Sequence, residues 1–385
     1  MILLLFFIIW RIFDFLVIFF SQKYIPYLGF FPYANQLPGY HLPTLISSLA
    51  NFDGLHYILI AKDGYAQYEQ AFFPLYPLTI KFLTPLFSNN QLLTGLIISN
   101  VSFLIGLIMF VKLFKSRTLN SKFEFWLIIF LLTFPTSFFF GSVYTEGLFF
   151  LLFISTLYFL KKENYILMAL FSFLASTTRL IGVFLIIPIV FHFFNRDKKL
   201  SQKSNIYYLI SIIFPIVGLS AYCFYLFKTT GDPLFFLTSQ PLFGANRSTH
   251  LIFLPQVYWR YIKIFITAAH DSRYLVSVIE FLIFNFVFIV LILDLFKNLK
   301  LNKNFKFQIL NFDLLGLNLF SFANLILPTL TGTFSSIPRY ALFSLSFFIY
   351  ISQIKNIIIK YSIIVVFVFL HILLLGFFAQ GYFVS

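Results

Sequence analysis

Cys223 is the only cysteine in this 385-residue chain, so no disulfide can form within it. Charge is scarce too: Asp, Glu, Lys and Arg make up 10% of the residues, against 60% hydrophobic ones. A soluble domain of this size could not cover its surface with so few polar groups. The chain therefore reads as an all-α, polytopic integral membrane protein. Glycine-rich phosphate-cradling spacing is missing, so nucleotide-driven transport has no support in the sequence. Metal-ligand spacing is missing as well: His41, His192, His250, His270 and His371 have no neighbouring acids at ligand intervals. Acidic residues are few, 13 against 27 Lys and Arg, giving a net charge of +14. That excess lies mostly in short loops between apolar runs, the positive-inside pattern, so no nucleic-acid partner is expected.

What the chain does have is apolar runs. Runs of about 17–25 residues suffice to cross a hydrocarbon core. Marked off at charged or proline-rich stops, they fall near 2–20, 91–114, 123–140, 145–160, 165–178, 180–195, 205–228, 274–296, 309–330, 338–353 and 360–380, about eleven spans in all. The first run lacks a basic leader and a small-residue cleavage site, so it reads as a retained span and not a signal peptide. One domain over 1–385 is expected, with two long connections at about 21–90 and 229–273. Basic residues group at Lys112–Lys122, Lys161–Lys162, Arg196–Lys203, Lys297–Lys306 and Lys355–Lys360. With these spans all five groups share one side, expected to be cytoplasmic. Segments 21–90 and 229–273, together with the turns at Glu146, Arg179 and Arg339, then fall outside. Counting 72–87 as a further span would upset this agreement. Pro74, Pro77 and Pro85 also oppose a continuous helix there, so that stretch is read as lying on the outer face.

Polarity concentrates between Asn51 and Pro77, which hold Asp53, Asp63 and Glu69, three of the 13 acids. Asn51 can cap a helix and Gly64 can end it. On that helix Asp53, His56 and Tyr57 share a face at i, i+3, i+4. Asp53 suits either a helix-dipole acid or a base that takes a proton from a sugar hydroxyl. Asp63, in Lys62-Asp63-Gly64-Tyr65, reads as a turn acid. Glu146 begins a span and again fits both a helix-start acid and a functional role. Arg179 and Arg339 each suit headgroup snorkelling, yet two arginines returning to the side of an acid also fit a phosphate. Arg11 and Asp14, at i, i+3 within the first span, are expected to pair inside the bundle. The Asn246–Ser248 triplet matches a glycosylation acceptor, a pattern too common to carry weight.

The stretch Phe52-Asp53-x-x-His56-Tyr57-x-x-Ile60-Ala61-x-x-Gly64-Tyr65, followed by Phe72-Phe73-Pro74-Leu75-Tyr76-Pro77, resembles the PIG-V family. This is the GPI mannosyltransferase II group with its prokaryotic relatives. Phe52 stands where that family usually has tryptophan. Three later blocks are similar to family segments in the same order: Pro135 to Glu146, Ser176-Thr177-Thr178-Arg179-Leu180-Ile181-Gly182, and Pro338-Arg339-Tyr340. The resemblance implies a GT-C-like helical bundle whose long first external loop carries short interfacial helices. It implies a membrane glycosyltransferase, first of all a mannosyltransferase, that inverts the anomeric centre and takes its sugar from a polyprenyl- or dolichyl-phosphate donor. The acceptor would be the hydroxyl of a glycan or glycolipid at the bilayer's external face. Mapped by position, Asp53 would be the catalytic acid, with His56, Tyr57, Glu146, Arg179 and Arg339 as substrate-binding candidates. No cofactor or metal is called for, since the leaving group is already a stable phosphate. The setting would be the cell membrane of a prokaryote or the ER membrane of a eukaryote. A non-mannose sugar, a flippase for a lipid-linked saccharide and a non-catalytic subunit are the alternatives; a flippase would show mid-membrane polar residues repeated in two halves.

Overall fold

The structure, a computed structural model, describes residues 2–29, 31–114, 121–195, 202–243, 248, 250–301, 307–309 and 311–384. Of the expected basic groups, Lys115, Arg117, Arg196, Lys198, Lys199, Lys303 and Lys306 lie outside the described residues, as does Asn246. The helices in order are α1 (Ile2–Tyr24), α2 (Thr44–Ser47), α3 (Asp53–Asp63), α4 (Leu75–Leu83), α5 (Gln91–Phe114) and α6 (Ser121–Thr133). Next come α7 (Glu146–Lys161), α8 (Tyr165–Thr178), α9 (Ile186–Asn195), α10 (Gln202–Ser211), α11 (Phe214–Thr230) and α12 (Phe235–Thr238). The last are α13 (Leu254–Thr267), α14 (Ser272–Asn298), α15 (Phe312–Ile326), α16 (Ile337–Ala341), α17 (Leu345–Ser352) and α18 (Ile357–Ala379). A short antiparallel ladder, β1 (Leu299–Leu301) with β2 (Phe307–Ile309), pairs Leu299 with Ile309.

Among the described residues, six helical stretches are long and apolar enough to cross a membrane: Leu3–Tyr24, Gln91–Phe114, Ile206–Thr230, Ser272–Asn298, Asp313–Thr331 and Ile357–Ala379. They point to an integral membrane protein. The other expected spans are shorter or broken. The 16 residues of α7 reach only about 24 Å, against a hydrocarbon core of about 30 Å. α7 is nonetheless central, because 12 of its 16 residues are buried. A helix enclosed by protein has no lipid thickness to match. Residues 72–87 form no single span: α4 is nine residues long and a 3-10 turn, Thr84–Phe87, follows it.

At mid-length on α1 and α18 the charged and imidazole side chains lie inward, among apolar ones, and the outward faces are apolar. On α1 the buried stripe is Trp10, Arg11, Asp14, Val17, Ile18 and Ser21, while Leu5, Ile9, Ile12, Leu16 and Phe20 are exposed. On α18 His371 and Phe367 face inward, and Val365, Val366 and Phe369 face outward. Such a surface suits lipid and not water. As expected, Arg11 pairs with Asp14, Nη1 to Oδ2 at 2.7 Å. The other carboxylate oxygen meets His371 Nε2 at 2.8 Å, although His371 has no acid near it in sequence. His371 Nδ1 lies 3.2 Å from Ser137 Oγ, which also accepts from Trp10 Nε1 at 3.3 Å. This cluster ties α1, α18 and the 3-10 turn Ser137–Gly141 together. Gly141 leaves room for it, since an added Cβ would lie 2.7 Å from the Arg11 guanidinium carbon and push that side chain aside. Asp14→Ala leaves a buried guanidinium uncompensated, a loss of about 3–5 kcal/mol. The detergent-solubilised variant should melt well below the wild type; an unchanged midpoint would mean that the cluster does not hold α1.

The two ends of the bundle carry different chemistry. Lys161, at the last residue of α7, donates to the carbonyl of Leu113 at the end of α5. Lys297 of α14 bonds to Gln353, and Lys360 donates to the carbonyl of Ser352 at 2.8 Å. Glu146 stands at the opposite end of α7 from Lys161.

Candidate active site

Asp53 is the first residue of α3, not a later one, and Asn51 is not its cap. The Asn51 amide instead donates to the carbonyl of Phe378 at 2.8 Å, and its own carbonyl accepts from the Tyr144 hydroxyl at 2.8 Å. Between them Phe52 takes φ 57° and ψ −119°, an unusual conformation for a residue with a side chain. Its ring is held by Phe31 at 4.6 Å and Phe383 at 5.4 Å. The aromatic at this position is thus an anchor that fixes where α3 begins, and hence where Asp53 points. Gly64 ends α3 at φ 89°, as its type suggests, and Asp63 before it is exposed.

Three further segments meet Asp53. Arg339 donates from Nη1 to Asp53 Oδ2 at 2.7 Å and from Nε to Glu146 Oε1 at 3.0 Å. Arg179 donates to the same Glu146 oxygen at 2.6 Å and to Thr145 Oγ1 at 2.9 Å. Two acids and two arginines from α3, α7, the α8 terminus and α16 therefore form one ion-pair network. The side chain of Glu146 is 0% exposed, those of Arg179 and Arg339 are 10% and 9%, and that of Asp53 is 31%. Asp53 is the most exposed member of the network. Glu146 Oε2 is buried with no hydrogen-bond partner among the described residues.

Aromatic rings hold the guanidiniums. Arg339 lies 4.8 Å from the Phe139 ring and 4.7 Å from that of Tyr144, and Arg179 lies 5.0 Å from Tyr340. The five-residue α16 is anchored on both sides: Thr136 donates to the Pro338 carbonyl, and Asn324 to that of Tyr340, each at 2.7 Å. Within the connection 229–273, Tyr261 of α13 accepts from the amide of Phe334 at 3.0 Å, and Arg260 donates to the carbonyl of Gly332 at 3.1 Å. This long connection therefore braces the turn leading to Arg339. Gly147, next to Glu146, has no room for a side chain. An added Cβ would strike the Ser99 carbonyl and lie 2.6 Å from that of Phe140, so α7 begins locked against α5.

His56 shares the helix face of Asp53 but joins a different partner. Its Nδ1 lies 2.9 Å from Glu69 Oε1, and its ring stacks on Phe72 at 5.1 Å. Glu69 also accepts from the Ala66 amide at 2.9 Å, which fixes the loop after α3. Tyr57 is buried among Phe72, Tyr76 and Tyr144. Burial, and then the Asp53 and Glu146 carboxylates, hold its phenol above the usual range. It stays protonated and borders the network as a hydroxyl. Among the described residues, no group of three or more His, Cys, Asp or Glu side chains is placed to hold a metal ion. The pairing of Glu69 with His56 was not legible in sequence; the one available hint was its place among the three clustered acids. Comparison with family models, curated proteins and solved structures gives no match.

Proposed function

We propose that this chain is a membrane glycosyltransferase of the GT-C type, related to the PIG-V group. It moves a sugar, with mannose the first candidate, from a polyprenyl-phosphate donor to an acceptor hydroxyl with inversion. One observation carries the reading: Asp53, Glu146, Arg179 and Arg339, each from a separate sequence block, meet in a single network. In the proposed step Asp53 takes the proton of the acceptor hydroxyl. The oxygen attacks the anomeric carbon, and the bond from that carbon to the phosphate oxygen breaks, its electron pair leaving with the polyprenyl phosphate. Arginine suits that leaving group because its planar fork donates two parallel hydrogen bonds. Separation of Glu146 from Lys161 along α7 supports placing the site on the face opposite the basic loops, the external one.

A flippase would draw on the buried polar residues of the long helices. Arg11, Asp14 and His371 satisfy one another at 2.7 and 2.8 Å, which favours a structural tie there over a path. The direct test incubates purified protein with a panel of polyprenyl-phosphate sugars and glycan or glycolipid acceptors, following transfer by mass. Transfer from at least one donor is expected; none from any would sink the reading.

A further inference from the structure

Resting on that reading, we propose that the cleft between the end of α1, the start of α14 and the end of α18 is an acceptor subsite. It takes a saccharide unit of the acceptor beside the one whose hydroxyl reacts at Asp53.

The cleft is open and holds about 600 Å³, inside the range of about 300–1,000 Å³ usual for small-molecule sites. Its wall mixes rings with polar groups: Tyr24 from α1, Asp271 and Tyr274 at the start of α14, and Phe377 and Tyr382 at the end of α18. The outward stripes of the same helices differ. Leu16 and Phe20 on α1, and Val365, Val366 and Phe369 on α18, carry no polar side-chain atom. An isoprenoid tail suits those stripes, whereas the cleft suits a ligand with apolar and polar faces at once. A sugar ring is such a ligand: its C–H face packs on aromatic rings, and its hydroxyls bond to carboxylates and phenols. A belt of boundary tyrosines would account for exposed rings. It would not account for a concave wall that also includes His270 and Asp271.

The parts are already in place. Tyr382 stacks on Phe377 with ring centres 5.2 Å apart, and the His270 ring lies 4.5 Å from that of Tyr274. Asp271 Oδ1 accepts from the Tyr274 amide at 2.9 Å and so caps α14. A carboxylate has a second oxygen, so the cap and a sugar hydroxyl can be served together. The Leu28 amide donates to the carbonyl of Gln380 at 2.9 Å, which ties the turn before Tyr382 to the chain after α1.

Position links the cleft to Asp53. On the last turn of α18, Phe377 lines the cleft, while Phe378 is wholly buried and its carbonyl holds Asn51. Phe383, next to Tyr382, meets the ring of Phe52, the residue before Asp53, at 5.4 Å. One ring contact thus joins the cleft wall to the residue that fixes where Asp53 points. Binding energy gathered there, away from the reacting atoms, helps hold the hydroxyl against its base.

The experiment uses purified full-length protein and, as probes, the methyl glycosides and disaccharides of mannose, glucose and N-acetylglucosamine. Ligand-observed NMR reads binding, and the transfer assay reads acceptor KM. Wild type should bind at least one disaccharide and use it with a KM about tenfold below that of its methyl glycoside, the size of an added aromatic and hydrogen-bond contact. Tyr382→Ala should erase that preference by raising the disaccharide KM about tenfold. Asp271→Asn keeps the helix cap, should raise the same KM about three- to tenfold, and serves if the tyrosine variant folds poorly. Neither variant should change the donor KM. Trp259→Ala removes an exposed ring outside the cleft and should change neither value. An unchanged disaccharide KM in both cleft variants, or equal use of both probe lengths by wild type, overturns the subsite and leaves the glycosyltransferase reading intact. Transfer confined to other acceptors, with no disaccharide bound, overturns it in the same way. If wild type transfers sugar from no donor to any acceptor, the reading fails and takes the subsite with it.

Discussion

Asp53→Asn should cut sugar transfer by about a hundredfold or more, the usual contribution of a positioned general base. The amide is the same size as the carboxylate and keeps an oxygen for Arg339 Nη1, now 2.7 Å from Oδ2. What it loses is the ability to take a proton. The change falls on the most exposed member of the network, so the fold should survive it, as read from an unchanged gel-filtration profile and a similar melting midpoint. Turnover within tenfold of wild type would show that another group is the base. His56, held by Glu69 one helical turn away, would be the next candidate to examine.

Replacing Arg339 should be the most damaging single change at the site. Arg339→Ala removes the bonds to both Asp53 and Glu146 and leaves the wholly buried Glu146 with Arg179 alone. Losing one partner of a buried ion pair costs about 3–5 kcal/mol, a large part of a membrane protein's margin. Lower yield, a depressed melting midpoint and loss of transfer are all expected. Arg339→Lys separates the two effects. An ammonium keeps the charge and much of the stability, but it has no Nε and Nη pair to bridge Glu146 and Asp53 at once. It should fold and still transfer poorly. Wild-type stability and turnover in Arg339→Ala would remove the network from both fold and function.

Parts of this arrangement can be read locally. The bounds of α8, the end of α3 at Gly64 and the Arg11–Asp14 pair each depend on residues within a turn or two of one another. Positive-inside patterning likewise needs only the order of loops along the chain. Placing Asp53, Glu146, Arg179 and Arg339 on one side was legible for that reason. Their pairing was not: Arg339 lies 286 positions from Asp53, and no periodicity spans that distance.

Among the described residues six stretches have the length and composition of a span, against about eleven expected, and α7 shows why the two differ. Hydropathy marks α7 as apolar but cannot tell a helix facing lipid from one facing protein, and with 12 of 16 residues buried α7 faces protein. Asn51 went from expected cap to interhelical tie because its amide found the carbonyl of Phe378, 327 positions away. Composition and pattern thus pointed to a helical membrane protein and singled out the few polar residues to examine, since charge near lipid needs a reason wherever it occurs. Only the packing of α3, α7, α8 and α16 decided that those residues form one ion-pair network in which Asp53 is the most exposed member. Ion pairing is a matter of ångströms, and it is set by contacts between segments that are remote in sequence.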